Sequence, residues 1–195
     1  MRPWIRAVPA AVGAVALAAA LTGCNNPVSA VKAKSSAPAA EKKTYGLGEA
    51  SPLKDSNRTT SDGAKFTVTP TRVETGTQAD MDNSGLKKDE AEGPEIPVFV
   101  WTTLTHKSGP AMELGDMDDD LVMRTDTGQR TKALFVFMGR AKWPNCPSAE
   151  SGKKLTPGQS EQICTAFLIP ANQKAAAVEL TRGFYKEPLE WPVKN

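Results

Sequence analysis

The chain has 195 residues, with 24 Lys and Arg against 22 Asp and Glu and a formal net charge of +2. Its length suits one domain of ordinary size with extensions, and the near balance of charge excludes nucleic-acid binding through a strongly basic surface. A single histidine excludes the common zinc sites that use several histidines, and we expect no cofactor.

The N-terminal segment has the features of an export signal. Arg2 and Arg6 precede an apolar stretch over 7–20, which is too short for the roughly 20 residues that span a bilayer. The stretch ends in Leu21-Thr22-Gly23-Cys24, which resembles the bacterial lipobox. The resemblance implies cleavage before Cys24 and transfer of a diacylglyceryl group, usually followed by further acylation such as palmitate, to this residue. A plain secretory signal with a chance cysteine is the alternative.

The sequence divides into a signal peptide (1–23), a lipidated cysteine with a linker (24–43) and a domain (44–195). Removal of the signal would also remove both of its arginines, which leaves 22 basic against 22 acidic side chains. The linker consists mainly of Ala, Ser, Pro and Lys, and such a segment buries too little apolar surface to fold. We therefore predict a disordered tether, and a lipid rather than a basic patch as the membrane anchor.

Cys146 and Cys164 remain once Cys24 is assigned to lipid. An even pair in an exported domain favours a disulfide, which stabilises by roughly 3 kcal/mol for a loop of about 15–20 residues. Two buried thiols or a redox pair are the alternatives, although the chain has no Cys-x-x-Cys motif.

From Thr44 onward, short β-rich runs alternate with clusters of Gly, Pro, Asn and Asp. The run 96–106 is apolar on both faces at its start, which predicts a central strand. Other strands are predicted at 64–73, 121–124, 133–138, 162–169 and 175–180 (whose composition also suits a helix), and residues 187–192 close the domain. Seven or so strands without a helix of three turns predict an all-β fold, a single immunoglobulin-like antiparallel β-sandwich.

Three segments, 67–73, 98–109 and 155–170, resemble small immunoglobulin-like modules. Such modules occur in actinobacterial membrane lipoproteins and secreted proteins, including a mycobacterial immunoprotective extracellular antigen. Many of them have Asn where this chain has His106. The resemblance implies a β-sandwich, an extracytoplasmic location and no known reaction, and it supplies no functional residues.

Catalytic patterns in the sequence are weak. A Ser-His-Asp triad would require His106, which we expect at the exposed end of a strand and flanking a turn. The Ser-x-x-Lys spacing of β-lactamases occurs without their Lys-Thr-Gly motif. It is found at Ser29/Lys32, Ser51/Lys54 and Ser151/Lys154. We therefore predict that the protein is not an enzyme.

Two acidic loops, 80–92 and 113–120, have carboxylates at alternate positions. The first matches the opening of an EF-hand loop but has Ala91 at the twelfth position, and the second has Leu121 where the glycine is required. Calcium needs six to eight oxygen ligands, and each loop offers about half. We predict solvated loops, with a weak calcium site as the alternative.

Recognition is expected on the longest loop, 76–95, because loops on rigid sandwiches often bind partners. Trp101 is expected in the core, like the buried Trp of immunoglobulin folds. Trp143 and Trp191 lie beside prolines, and we expect them either to pack at an end of the sandwich or to contact a partner.

These observations predict a lipid-anchored protein on the outer face of the cytoplasmic membrane. Its domain would bind a protein, a cell-wall component or a small ligand without catalysis, and the anchor would raise its concentration near membrane partners. The alternatives are a small cell-wall enzyme, a solute-capturing transporter lipoprotein and a calcium-stabilised adhesin.

Overall fold

A computed structural model of the chain describes residues 41–86, 93–134 and 141–194. The predicted signal peptide, Cys24 and most of the linker lie outside the described residues, as do residues 87–92 of the predicted contact loop and most of the predicted strand 133–138. Within the described ranges, no helix combines the length and the apolar character needed to cross a membrane.

Strands dominate the described part of the chain. In chain order they are β1 (Lys54–Asp55), β2 (Lys65–Thr75), β3 (Glu95–Ser108), β4 (Met112–Glu113), β5 (Leu121–Thr125), β6 (Arg130–Lys132), β7 (Lys154–Leu155), β8 (Ser160–Pro170), β9 (Ala175–Leu180) and β10 (Leu189–Pro192). The helices are short: α1 (Gln78–Asn83), α2 (Leu114–Asp118) and a 3-10 turn (Thr59–Ser61).

The strands form two antiparallel sheets of four and one small ladder. The first sheet has the order β1-β2-β3-β8 and the second the order β10-β9-β5-β6, while β4 pairs with β7. The bridge between Ala133 and Phe167 links the end of β6 to the first sheet. The predicted all-β antiparallel sandwich is confirmed, and 175–180 is a strand.

The strand β3 is central, as predicted, because it pairs along its length with both β2 and β8. Its even-numbered residues face the second sheet, where Val98, Val100 and Leu104 are fully buried. They join one core cluster with side chains of both sheets, among them Phe167 of β8 and Trp191 of β10. This period-two pattern positions the core between the sheets.

The opposite face of the first sheet is covered as well. Phe99 and Trp101 of β3 pack with Cys164 on β8 and with Trp143 and Cys146 of the segment that crosses this face. The predicted disulfide between Cys146 and Cys164 is present, and it ties this segment to the sheet. The double coverage explains why the start of β3 is apolar on both faces.

The prediction that Trp101 is a buried core residue is confirmed, and the structure shows to which cluster it belongs. Its side chain is buried, but it lies in this outer cluster rather than between the two sheets. The guanidinium of Arg72 stacks on the ring, with its central carbon 3.4 Å from the centroid. Because Trp101 is odd-numbered in β3, it points away from Val98 and Val100 and thus away from the inter-sheet core. The disulfide likewise does not bridge the sheets as in antibody domains.

Candidate interaction surface

The turn between β9 and β10 presents two aromatic side chains to solvent. Phe184 and Tyr185 are 94% and 96% exposed. Their rings lie edge to face, with centroids 5.3 Å apart and an interplanar angle of 78°. Gly183 has a positive φ of 83°, which lets the chain turn immediately before the pair. Large aromatic groups that bury almost nothing in their own domain point to a contact with another surface.

The base of this turn is held to the first described residues. Arg182 Nε donates to the backbone oxygen of Glu187 at 2.9 Å, and its guanidinium pairs with Glu41. Lys43 pairs with Glu187 and is the main cause that lowers the pKa of that carboxyl. The aromatic turn therefore lies beside the point where the N-terminal part of the chain enters the domain.

A shallow groove adjoins the turn, with a volume of about 260 Å³. Its apolar lining includes Leu53, which is 60% exposed, and Leu180 and Leu189, which are buried. Charged side chains of both signs complete the lining: Lys54, Arg182 and Lys186 with Glu41 and Asp55. The volume lies below the 300–1,000 Å³ typical of small-molecule sites, so the groove suits contact with a surface better than enclosure of a ligand.

The structure corrects the prediction for His106. Its side chain is fully buried, on the same face of β3 as Leu104. The loop that precedes β8 crosses the end of the strand: His106 donates its backbone N–H to Gln159 and accepts from Gly158, at 3.0 and 2.9 Å. Neither ring nitrogen has a hydrogen-bond partner among the described residues. A triad needs hydrogen bonds from both ring nitrogens, to a nucleophile and to a carboxylate, so this imidazole does not form one.

The described Ser-x-x-Lys pairs are used in other ways. The hydroxyl of Ser51 accepts from the backbone N–H of Val68 at 3.0 Å and donates to the oxygen of Pro52 at 2.9 Å. Lys54 pairs with Asp120 at 2.6 Å. Ser151 is exposed and Lys154 lies 3.5 Å from Glu113, while Ser29 and Lys32 lie outside the described residues. None of the described pairs forms a nucleophile and base.

The first acidic loop begins with a helix. Thr77 and Asp80 form a capping box at the start of α1, in which the Asp80 carboxylate accepts from the backbone N–H of Thr77 at 2.6 Å. Contacts with the hydroxyl and N–H of Thr77 lower the pKa of Asp80. Asp80 is therefore engaged in local structure, whereas 87–92, with the twelfth EF-hand position, lie outside the described residues.

In the second loop, cations already neutralise most carboxylates. Arg58 pairs with Asp116 at 3.4 Å and with Asp119, and Asp120 pairs with Lys54 as described above. Asp118 is different: it accepts from the Thr165 hydroxyl at 2.9 Å, and burial raises its pKa to about 6. Among the described residues no cluster of three or more acidic, His or Cys side chains has a metal-binding arrangement.

The tryptophans next to prolines pack inside the domain. Trp191 is fully buried, and its indole N–H donates to the backbone oxygen of Glu49 at 2.8 Å. Trp143 donates to the oxygen of Asp80 at 3.2 Å and packs on Phe99. Of the two roles expected for these tryptophans, packing within the domain is therefore the one observed. The sequence reasoning missed Phe184 and Tyr185, for which the available signal was an aromatic pair directly after a glycine between two strands.

Comparison with known proteins supports the fold. The solved structure of MPT63, described as a secreted protein from Mycobacterium tuberculosis, matches with a TM-score of 0.51. The match covers 79% of this chain and 99% of MPT63, at 14% sequence identity. No protein-family model and no curated protein matches the chain. At this identity the likeness shows a shared β-sandwich fold.

Proposed function

We propose that the protein is a lipid-anchored, non-catalytic binding module on the outer face of the cytoplasmic membrane, and that it makes contact through the Phe184–Tyr185 turn. The observation that carries the contact surface is the 94% and 96% exposure of these two rings. Replacing them with polar residues would cost the domain almost no packing, so their presence is better explained by a partner than by the fold.

The anchor is supported by Leu21-Thr22-Gly23-Cys24 after a short apolar segment with an arginine-bearing start. The secreted neighbour of similar fold is compatible with an extracytoplasmic location. The burial of His106 and the local bonds of the Ser51 hydroxyl favour binding over hydrolysis. Confinement at the membrane raises the effective concentration of the module near partners, which makes weak contacts effective.

The anchor is tested by metabolic labelling with an alkyne fatty acid and by the intact mass of the protein. We expect a lipid mass on the wild type that is missing from Cys24→Ala. An unlipidated wild type released from the membrane would contradict the anchor.

The contact surface is tested in cells with a photoreactive phenylalanine analogue at position 185. Position 172 is the matched control, because Asn172 is exposed in the turn that precedes β9, at the opposite end of that strand. We expect crosslinked products from position 185 well above those from position 172. Equal yields at the two positions would contradict a contact through the aromatic turn.

A further inference from the structure

The Phe184–Tyr185 turn lies beside the residues through which the N-terminal part of the chain enters the domain. Arg182 and Glu187, on either side of Phe184 and Tyr185, pair with Glu41 and Lys43. Glu41 follows Cys24 by only 17 positions in the sequence. A linker of this length has a root-mean-square reach of roughly 21–25 Å if flexible. An anchored chain would therefore hold this end of the domain near the bilayer.

We propose that the Phe184–Tyr185 turn docks onto the lipid bilayer, with both rings at the level of the headgroups. This inference rests on the proposed anchoring at Cys24, and it names the partner of the contact surface as a lipid surface. Aromatic rings favour the membrane interface because they combine an apolar body with a polarised edge, and the Tyr hydroxyl can remain hydrated.

The charges around the turn fit ring insertion better than purely electrostatic attraction. Arg182 and Lys43 are paired with Glu41 and Glu187, so the local surface is not strongly basic. Lys186 is exposed directly after the rings, in a position to approach lipid phosphates. Because the rings are almost fully exposed, their transfer from water costs the domain no internal packing. Each ring is expected to strengthen partitioning by about tenfold or more.

The test uses the chain from Cys24 onward, which contains every described element. Its Cys24 thiol is coupled to a maleimide-bearing phospholipid in vesicles of phosphatidylglycerol and phosphatidylethanolamine. The other two cysteines form the buried disulfide, so coupling is directed to Cys24. This chemical anchor reproduces the proposed geometry whether or not cells lipidate the protein.

The readout is tryptophan fluorescence from Tyr185→Trp, with Asn172→Trp as the matched control. Both positions are exposed, whereas Trp101, Trp143 and Trp191 are buried and give a common background. Lipids brominated near the top of the acyl chains should quench the added fluorescence of Tyr185→Trp at least twofold more than that of Asn172→Trp. Aqueous iodide should instead quench the added fluorescence of Asn172→Trp more than that of Tyr185→Trp. Unchanged thermal unfolding of both variants establishes that they are folded.

Equal bromolipid quenching of the two variants, with full iodide access at position 185, would overturn membrane docking. A protein captured by the photoreactive group at position 185 in cells, together with that result, would assign the turn to a protein partner instead. Neither outcome alters the lipid mass expected on Cys24, so failure of docking and failure of anchoring are distinguishable.

Discussion

Asp118 gives a quantitative test of the structure, because burial raises its pKa to about 6, above the ordinary value of 3.8. The folded protein therefore binds a proton at Asp118 more tightly than the unfolded chain does. The contribution of Asp118 to the free energy of unfolding is therefore highest when the carboxyl is protonated. This contribution falls as the pH rises from about 4 through about 6. The raised pKa corresponds to a loss of about 3 kcal/mol in the free energy of unfolding at neutral pH.

The substitution Asp118→Asn removes the charge and keeps an oxygen that can accept the Thr165 hydroxyl. We expect the free energy of unfolding to rise by about 3 kcal/mol at pH 7.5 and by less than about 1 kcal/mol at pH 4, where the wild-type group is protonated in the fold. Urea unfolding followed by tryptophan fluorescence at both pH values measures the difference.

The matched control is Asp119→Asn, in the next residue, whose side chain is exposed and pairs with Arg58. An exposed ion pair contributes about 0–1 kcal/mol, and loss of the Asp119 charge also relieves its repulsion of Asp118, so the free energy of unfolding of this variant should stay within about 1 kcal/mol of the wild type at pH 7.5. Comparison with the wild type at each pH cancels the titration of all other carboxyl groups. A loss of stability in Asp118→Asn at pH 7.5, or a gain equal at both pH values, would refute the reasoning.

Three further outcomes are expected. Replacing Cys146 and Cys164 together by Ala should lower the free energy of unfolding by about 3 kcal/mol, because the bridge closes a loop with a sequence separation of 18. Denaturation of the wild type with and without reductant checks this effect. An unchanged unfolding midpoint would contradict it. His106→Leu should unfold at the same or a higher urea concentration, because burying ring nitrogens without partners costs about 1–3 kcal/mol; a large loss would show that the imidazole makes a stabilising contact. Phe184→Ser with Tyr185→Ser should leave the free energy of unfolding within about 0.5 kcal/mol of the wild type, as expected for exposed side chains, and a larger loss in calorimetry would show that the rings support the fold.

The alternation of polar and apolar residues was sufficient to predict the long strands β2, β3 and β8, because period two is a local property of a strand. Period two also sets Trp101 on the face of β3 opposite to Val98, in agreement with the two clusters. It could not identify which face meets the other sheet, because both faces are apolar. That choice depends on the segment that the Cys146–Cys164 disulfide fixes over Trp101, a contact distant in sequence.

Residues at strand ends and in turns were also harder to predict, because their burial depends on segments that are distant in sequence. His106 was placed at an exposed end, but the loop that includes Gly158 covers it in the fold. The exposure of Phe184 and Tyr185 could not be obtained from composition, since aromatic residues usually enter a core. Only the three-dimensional turn shows that both rings point away from the domain.

The way the two sheets are covered argues for contact through the end of the sandwich. The outer face of the first sheet is occupied by the cluster around Phe99 and Trp143. On the outer face of the second sheet, buried Glu179 binds both Arg124 and Arg130, at 2.7 and 2.6 Å. Their charged groups therefore satisfy one another and offer little to a partner without costly desolvation. The aromatic turn, by contrast, is apolar and exposed, and it lies at the end where the chain leads back to the proposed anchor, so anchor and contact can act together.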